Sequence, residues 1–198
     1  GNNFNLIQGA GGNTSYKEGN SLFIKASGYK LKDSLKKDIF VRVNLKKIRE
    51  SLRQNKKNPL AGTWDMSSGK KPSMETNMHA ILPQKYIFHL HCLNTISCVV
   101  QDDYEFKISK LFKDLNYAII KYKTPGTELA NEIKTIIKED KPEILFLLNH
   151  GLVVASDNVA KALELIYYVS KKISCSIDCS NKQDLEKLRD FTEGSFFR

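Results

Sequence analysis

The chain has 198 residues, 41% of them hydrophobic and 27% charged, with a formal net charge of +9. A chain of that length can bury roughly 70% of the surface its unfolded form exposes, enough for a self-standing enzyme core, and no apolar run approaches the roughly 20 residues of a membrane helix. The charge argues for steering of anionic substrates rather than a nucleic-acid face, because Lys outnumbers Arg and is scattered, as at Lys36, Lys46, Lys56, Lys110, Lys134, Lys171 and Lys187, without an aromatic-interleaved stripe.

Gly1 to Asn5 have neither the basic start nor the hydrophobic stretch of a secretory signal, and the lack of an initiating Met predicts that N-terminal sequence is missing. No repeat or low-complexity linker divides the chain, so residues 1–198 read as a single α/β domain, with residues 175–198 as a helical tail. Asn13–Tyr16 and Ser21–Lys25 read as the strands of a β-hairpin about the turn-forming Lys17-Glu18-Gly19-Asn20, and Ile39–Val43 reads as another strand. Pro72-Ser73 opens a short helix over Met74–Leu82, with Ser73 capping its first turn. The bulky apolar run Tyr86–Cys92 predicts a strand. After it come a helix near Asn94–Val100, a strand near Tyr117–Ile120, a helix around Thr127–Lys138 and a buried strand over Ile144–Leu148. Asn158–Ile173, opened by Ser156-Asp157, is the clearest helix, with Val159, Leu163, Ile166, Val169 and Ile173 spaced as a core stripe. A more polar surface helix over Lys182–Arg189 closes the chain. The cysteines Cys92, Cys98, Cys175 and Cys179 form no paired CxxC set and read as reduced, mostly buried thiols of a cytoplasmic protein. Cys175 and Cys179, one helical turn apart, read as two thiols near a helix end rather than as a shared metal site.

The chemistry concentrates in Phe88-His89-Leu90-His91-Cys92. A strand points alternate residues to one face, so His89 and His91 project together while Phe88, Leu90 and Cys92 turn to the buried side. Two neutral imidazoles on one strand face suit zinc. His150, in Asn149-His150-Gly151 at the end of another strand, is a third, and three histidines with an open position are the pattern of a catalytic rather than a structural zinc site. Glu75 stands at the start of the helix that leads into the histidine strand. His79, one turn further on, reads as a packing residue or a support behind the ligands. Upstream, Gly9-Ala10-Gly11-Gly12-Asn13-Thr14-Ser15 offers backbone N–H groups and small polar side chains to an anion, without the Gly-Lys-Ser/Thr ending of a P-loop. Lys25-Ala26-Ser27-Gly28 repeats the theme of a hydroxyl beside a glycine.

Taken in order, Gly11-Gly12-Asn13-Thr14-Ser15, Ala26-Ser27-Gly28, Pro72-Ser73-Met74-Glu75, His89-Leu90-His91 and Asn149-His150-Gly151 resemble the class II aldolase/adducin family across most of the chain. The resemblance implies a three-layer α/β/α fold around a mainly antiparallel central sheet, and a cyclic homotetramer with active sites at subunit interfaces. It implies a single divalent ion per chain, zinc, held by His89, His91 and His150. Glu75 would approach that ion in the free enzyme and act as acid/base with substrate bound. It gives Gly12, Asn13, Ser27, Gly28 and Ser73 to the substrate phosphate. Sugar-phosphate aldolases of the family often carry two serines before the glutamate, whereas here Met74 follows Ser73, so one phosphate hydrogen bond is expected to be missing. The stretch from Glu75 to His89 is shorter than in fuculose-phosphate aldolase, which alters the rim of the pocket. Those enzymes use a proton-donor tyrosine from a neighbouring subunit, for which Tyr104 and Tyr122 are the candidates here.

The expected reaction is reversible retro-aldol cleavage of a phosphorylated ketose through an enediolate, giving dihydroxyacetone phosphate and an aldehyde, with a Lewis acid stabilising the developing charge. A pentulose-phosphate 4-epimerase breaks and remakes the same bond without releasing fragments, and a dehydratase or decarboxylase fits the same scaffold. An adducin-like interaction module without catalysis would have lost the metal ligands, whereas all three histidines and Glu75 remain.

Overall fold

The computed structural model describes residues 1–137 and 140–176. Among these, seven strands, β1 (Asn13–Glu18), β2 (Ser21–Lys25), β3 (Phe40–Asn44), β4 (Tyr86–Leu90), β5 (Tyr117–Ile120), β6 (Ile144–Leu147) and β7 (Gly151–Ser156), make one sheet in the order β3-β2-β1-β4-β7-β6-β5. Neighbours run antiparallel, except that β5 and β6 are parallel. Helices α1 (Leu45–Arg53), α2 (Thr76–Ile81), α3 (Leu93–Val99), α4 (Tyr104–Phe112), α5 (Thr127–Ile136) and α6 (Val159–Ser174) cover its two faces.

The strand period of two divides the central strands between two cores. Leu90, Phe146, Leu152 and Val154 pack with Cys98, Phe112, Ile166 and Val169 of α3, α4 and α6. Ile87, Leu145, Val153 and Ala155 turn the other way, onto Met78, Leu129 and Ile133 of α2 and α5. Leu22, Ile24, Val41 and Val43 continue that second layer to Ile48 and Leu52 of α1, which packs beside α2. The result is the expected α/β/α sandwich with a mainly antiparallel sheet. Among the described residues no helix is long and apolar enough to cross a membrane.

Topology explains why distant motifs meet. β4 lies between β1 and β7 and runs against both, with Asn13 opposite His89 and Leu90 opposite Leu152. The start of β1, the end of β4 and the start of β7 therefore share one end of the sheet. The glycine-rich loop, the histidine pair and the Asn149-His150-Gly151 corner arrive there together.

Several elements differ from expectation for identifiable reasons. Lys17 and Glu18 extend β1 by pairing with Leu22 and Ser21, so the hairpin loop shrinks to Gly19 and Asn20. α2 begins at Thr76, not Met74, and Ser73 does not cap it. The Ser73 hydroxyl instead accepts from the Glu75 N–H at 3.3 Å and from Asn13 Nδ2 at 3.1 Å, and Glu75 takes the N-cap position. In α6 the expected stripe holds at Ile166, Val169 and Ile173, but Val159 and Leu163 are 45% and 43% exposed. Ala162 is buried in their place, since one residue along a helix turns the side chain by roughly 100°. The Asn158 side chain, rather than Ser156 or Asp157, caps α6 by accepting from the Lys161 N–H at 3.1 Å. α1, α4 and β7 were not foreseen. β7 is buried along its whole length and shows no alternation, and α1 follows β3 without a loop, capped by Asn44. Cys92 and Cys98 are buried and free, whereas Cys175 is exposed. Cys179, Lys138, the Lys182–Arg189 helix and the tail beyond residue 176 lie outside the described residues.

Candidate metal centre

β4 carries His89 into the sheet on the α2 side, wholly buried, while His91 emerges just past the strand end. His150 sits in the three-residue corner between β6 and β7, where its N–H donates to the Leu147 carbonyl at 3.2 Å and Asn149 takes a φ of +53°. The ring centroids stand 5.0 Å apart for His89 and His91, 4.7 Å for His89 and His150, and 5.4 Å for His91 and His150. One ligand nitrogen from each lies within 4.8 Å of the other two. Such a group could hold a metal ion.

Electrostatics point the same way. Burial, reinforced by the neighbouring imidazole His91, pushes His89 down to about 3 against the opposing hydrogen bond to the Leu152 carbonyl. Burial and then His89 push His150 down to about 4, opposed by the Glu75 carboxylate. Burial also lowers His91, with Glu75 opposing. All three rings are therefore neutral at ordinary pH, the state that binds a metal. His89 Nδ1–H donates to the Leu152 carbonyl at 3.2 Å, which leaves the Nε2 lone pair on the side of Glu75 Oε1.

Glu75 completes the cluster from the start of α2. Its Oε1 lies 3.3 Å from both His89 Nε2 and His150 Nε2. Neither Glu75 Oε1 nor His89 Nε2, both buried, has a hydrogen-bond partner among the described residues. A buried carboxylate oxygen and a buried imidazole lone pair facing each other unsatisfied are costly unless something accepts both. A divalent cation does so, and three neutral imidazoles with a carboxylate suit zinc chemistry.

Behind Glu75 lies a hydrogen-bonded chain that runs away from the histidines. Asn13 Nδ2 donates to Glu75 Oε2 at 2.7 Å and to Ser73 Oγ. Asn13 Oδ1 contacts His79 Nε2, and His79 Nδ1 lies 2.7 Å from Ser15 Oγ. His79 is fully buried, and burial, with His89 and Lys17 adding to it, holds it well below the usual histidine range. The sequence leaves His79 as either a packing residue or a support, and the spacing gives no sign of which residue it would support.

The segments expected around a phosphate are also neighbours. The Ser27 N–H donates to the Lys71 carbonyl, and Ala26 bridges Pro72, so the Ser27-Gly28 turn abuts Ser73. Gly12, at a φ of +65°, has its missing Cβ position 2.8 Å from the His89 carbonyl oxygen, so the loop rests on the histidine strand as only glycine allows. Lys25 joins the two loops. Its buried ammonium donates to the Ala10 carbonyl at 3.0 Å and the Tyr29 carbonyl at 2.7 Å, and burial lowers its pKa against the pull of Glu75. In the sequence Lys25 stands out only as part of the Lys25-Ala26-Ser27-Gly28 motif. The tyrosines are not gathered in: Tyr104 donates from its hydroxyl to Glu105, and Tyr122 is 57% exposed.

Similarity to known proteins agrees with this geometry. The family model described as Class II Aldolase and Adducin N-terminal domain matches residues 2–177. No curated protein sequence gives a match. Among solved structures, the N-terminal class II aldolase domain of a conserved protein from Thermoplasma acidophilum is 25% identical, with a TM-score of 0.78 over 89% of this chain and 87% of that one. A sugar-phosphate aldolase from Thermotoga maritima, 15% identical, gives a TM-score of 0.62 over 96% and 89% of the two chains. An L-fuculose-1-phosphate aldolase from Thermus thermophilus, 16% identical, gives 0.58 over 96% and 89%. These last two share the fold.

Proposed function

Because the chain belongs to the class II aldolase and adducin family, we propose that it is a metal-dependent lyase that reversibly cleaves a phosphorylated ketose, giving dihydroxyacetone phosphate and an aldehyde. The observation that carries this reading is the unsatisfied, buried Glu75 Oε1 placed 3.3 Å from two imidazole nitrogens. His89, His91 and His150 would hold the ion, which we take to be zinc. Bound there, the ion supplies Lewis-acid stabilisation of the negative charge that develops on substrate oxygens as the carbon–carbon bond breaks.

The chain's own residues do the rest. Glu75 Oε1 gives a proton to the enediolate carbon in the cleavage direction and takes it back in synthesis. The turn at Ser27 and Gly28, the Gly12 loop and the Ser73 hydroxyl receive the phosphate, with the Lys25 charge between the two loops. The same reading makes the protein a cytoplasmic homotetramer in which a neighbouring copy supplies the donor tyrosine, and the exposure of Tyr122 supports a role at such an interface.

Zinc-loaded protein is incubated with a set of ketose phosphates, and released dihydroxyacetone phosphate and epimerised substrate are detected separately. Cleavage that disappears on chelation, and in Glu75→Gln, is the expected result. Full activity in metal-depleted protein refutes the proposal, and an active Glu75→Gln refutes the acid/base role. Epimerised substrate without released fragments assigns the scaffold to the epimerase reaction instead.

A further inference from the structure

The chain from Ser15 through His79 and Asn13 to Glu75 can be assigned a direction atom by atom. A carboxylate oxygen only accepts, so the Asn13 amide must turn its NH2 end to Glu75 Oε2. The same NH2 group donates to Ser73 Oγ, so both of its hydrogens are used. The amide oxygen is thereby left facing His79 Nε2, and because that oxygen can only accept, the imidazole hydrogen is on Nε2. Nδ1 then has a lone pair, and the Ser15 hydroxyl donates to it at 2.7 Å. Asn13, Ser15, Glu75 and His79 are all buried, so water does not compete for these bonds. Flipping the amide would set its oxygen against the Glu75 carboxylate, a repulsive contact in a dry site whichever tautomer His79 then took.

We infer that His79 is a positioning residue for Glu75: with Ser15 it locks the Asn13 amide so that Oε2 is gripped from behind and Oε1 is left facing His89 and His150. Asn13 accordingly serves the carboxylate and has no amide hydrogen left for a substrate phosphate. The inference rests on reading the three histidines as metal ligands with Glu75 at the same ion in the free protein, but on no particular reaction.

Two measurements test it. In metal-free protein, imidazole nitrogen NMR should show His79 as the Nε2–H tautomer with a slowly exchanging ring proton. The Nδ1–H tautomer would overturn the inference whether or not metal binds. In the second, Co2+ is titrated into wild type, His79→Leu and His79→Gln, with the visible spectrum recorded. Removing a partner behind a metal site typically weakens binding 10- to 100-fold, so His79→Leu should lose about tenfold with an altered spectrum. His79→Gln, which keeps a donor and an acceptor, should recover most of that loss. In a Glu75→Gln background, His79→Leu should change affinity by less than about twofold, because its effect travels through the carboxylate. An equal loss in both backgrounds refutes the inference. If His79→Leu does not fold, Ser15→Ala perturbs the far end of the chain and should weaken Co2+ in the same direction; unchanged binding refutes it. A protein that binds no Co2+ overturns the metal reading, and the tautomer then decides this one.

Discussion

Gly151→Ala tests the packing that brings the site together. Gly151 opens β7, and a Cβ there would stand 2.4 Å from the Leu90 carbonyl oxygen of β4, where ordinary contact begins at 3.4 Å. The two central strands would have to part by about 1 Å at the end of the sheet that carries the histidines. Overpacking of a rigid interior costs about 1–3 kcal/mol, and a backbone oxygen cannot swing away, so about 3 kcal/mol is expected. Gly19→Ala supplies the contrast. It sits at φ +53° with open space around it among the described residues, so it carries only left-handed backbone strain of about 1 kcal/mol. The entropy that alanine removes from the unfolded chain is common to both variants and cancels. With a urea slope near 2 kcal/mol/M, the midpoint should fall by roughly 1.5 M for Gly151→Ala and roughly 0.5 M for Gly19→Ala. Because Leu90 precedes His91 and Gly151 follows His150, the first variant should also bind less metal, whereas the second keeps its full complement. Equal midpoint shifts would refute the argument that close approach, rather than backbone conformation, demands glycine at 151.

Three further outcomes follow from burial and charge. Burial and the nearby Arg49 lower Lys17 from 10.5 to about 7, so between pH 7 and 9 the unfolded chain binds more protons than the folded one. Stability should rise across that window by up to about 1.4 kcal/mol per pH unit relative to Lys17→Met, and parallel profiles in urea titrations would contradict this. His89 and His150 stand far below their unfolded value, so metal-free protein should lose stability as pH falls from about 6.5 towards 4, and bound zinc should stabilise it most near neutrality; a metal-free melting temperature that is flat over this range argues against neutral buried imidazoles. In α6, Leu163→Ala should change stability by less than about 0.5 kcal/mol, whereas Val169→Ala, in the core, should cost about 1–2.5 kcal/mol by thermal or urea unfolding.

Local chemistry announced much of this protein. The alternation in Phe88-His89-Leu90-His91 predicts which side chains share a face, and the ring distance of His89 and His91 agrees although His91 stands just past the strand end. The apolar period of α6 located the helix but misjudged Val159 and Leu163, since periodicity gives the angle of a stripe and not how far the sheet extends beneath it. β7, like β6, carries no alternation, and its apolar run Leu152-Val153-Val154-Ala155 between Gly151 and Ser156 is shorter than the Ile144–Leu148 run that marks β6. The convergence of His150 with the strand pair depends on the antiparallel order β1-β4-β7, which sequence periodicity does not encode.

Asn13 shows a subtler limit. Its amide could serve a phosphate or a carboxylate equally well, and residue type states which bonds a side chain can make, not which it makes. The partners decide, and here they are Glu75, Ser73 and His79. That choice bears on mechanism. With Oε2 held by Asn13, Glu75 has a single oxygen left to work with, and that oxygen lies 3.3 Å from both His89 Nε2 and His150 Nε2. Under the proposed function, Oε1 would then serve either the metal or the substrate's proton, not both at once. A substrate that takes the place of Oε1 at the histidines would free it as a base beside the reacting carbon, so substrate binding itself would switch the carboxylate from ligand to catalyst.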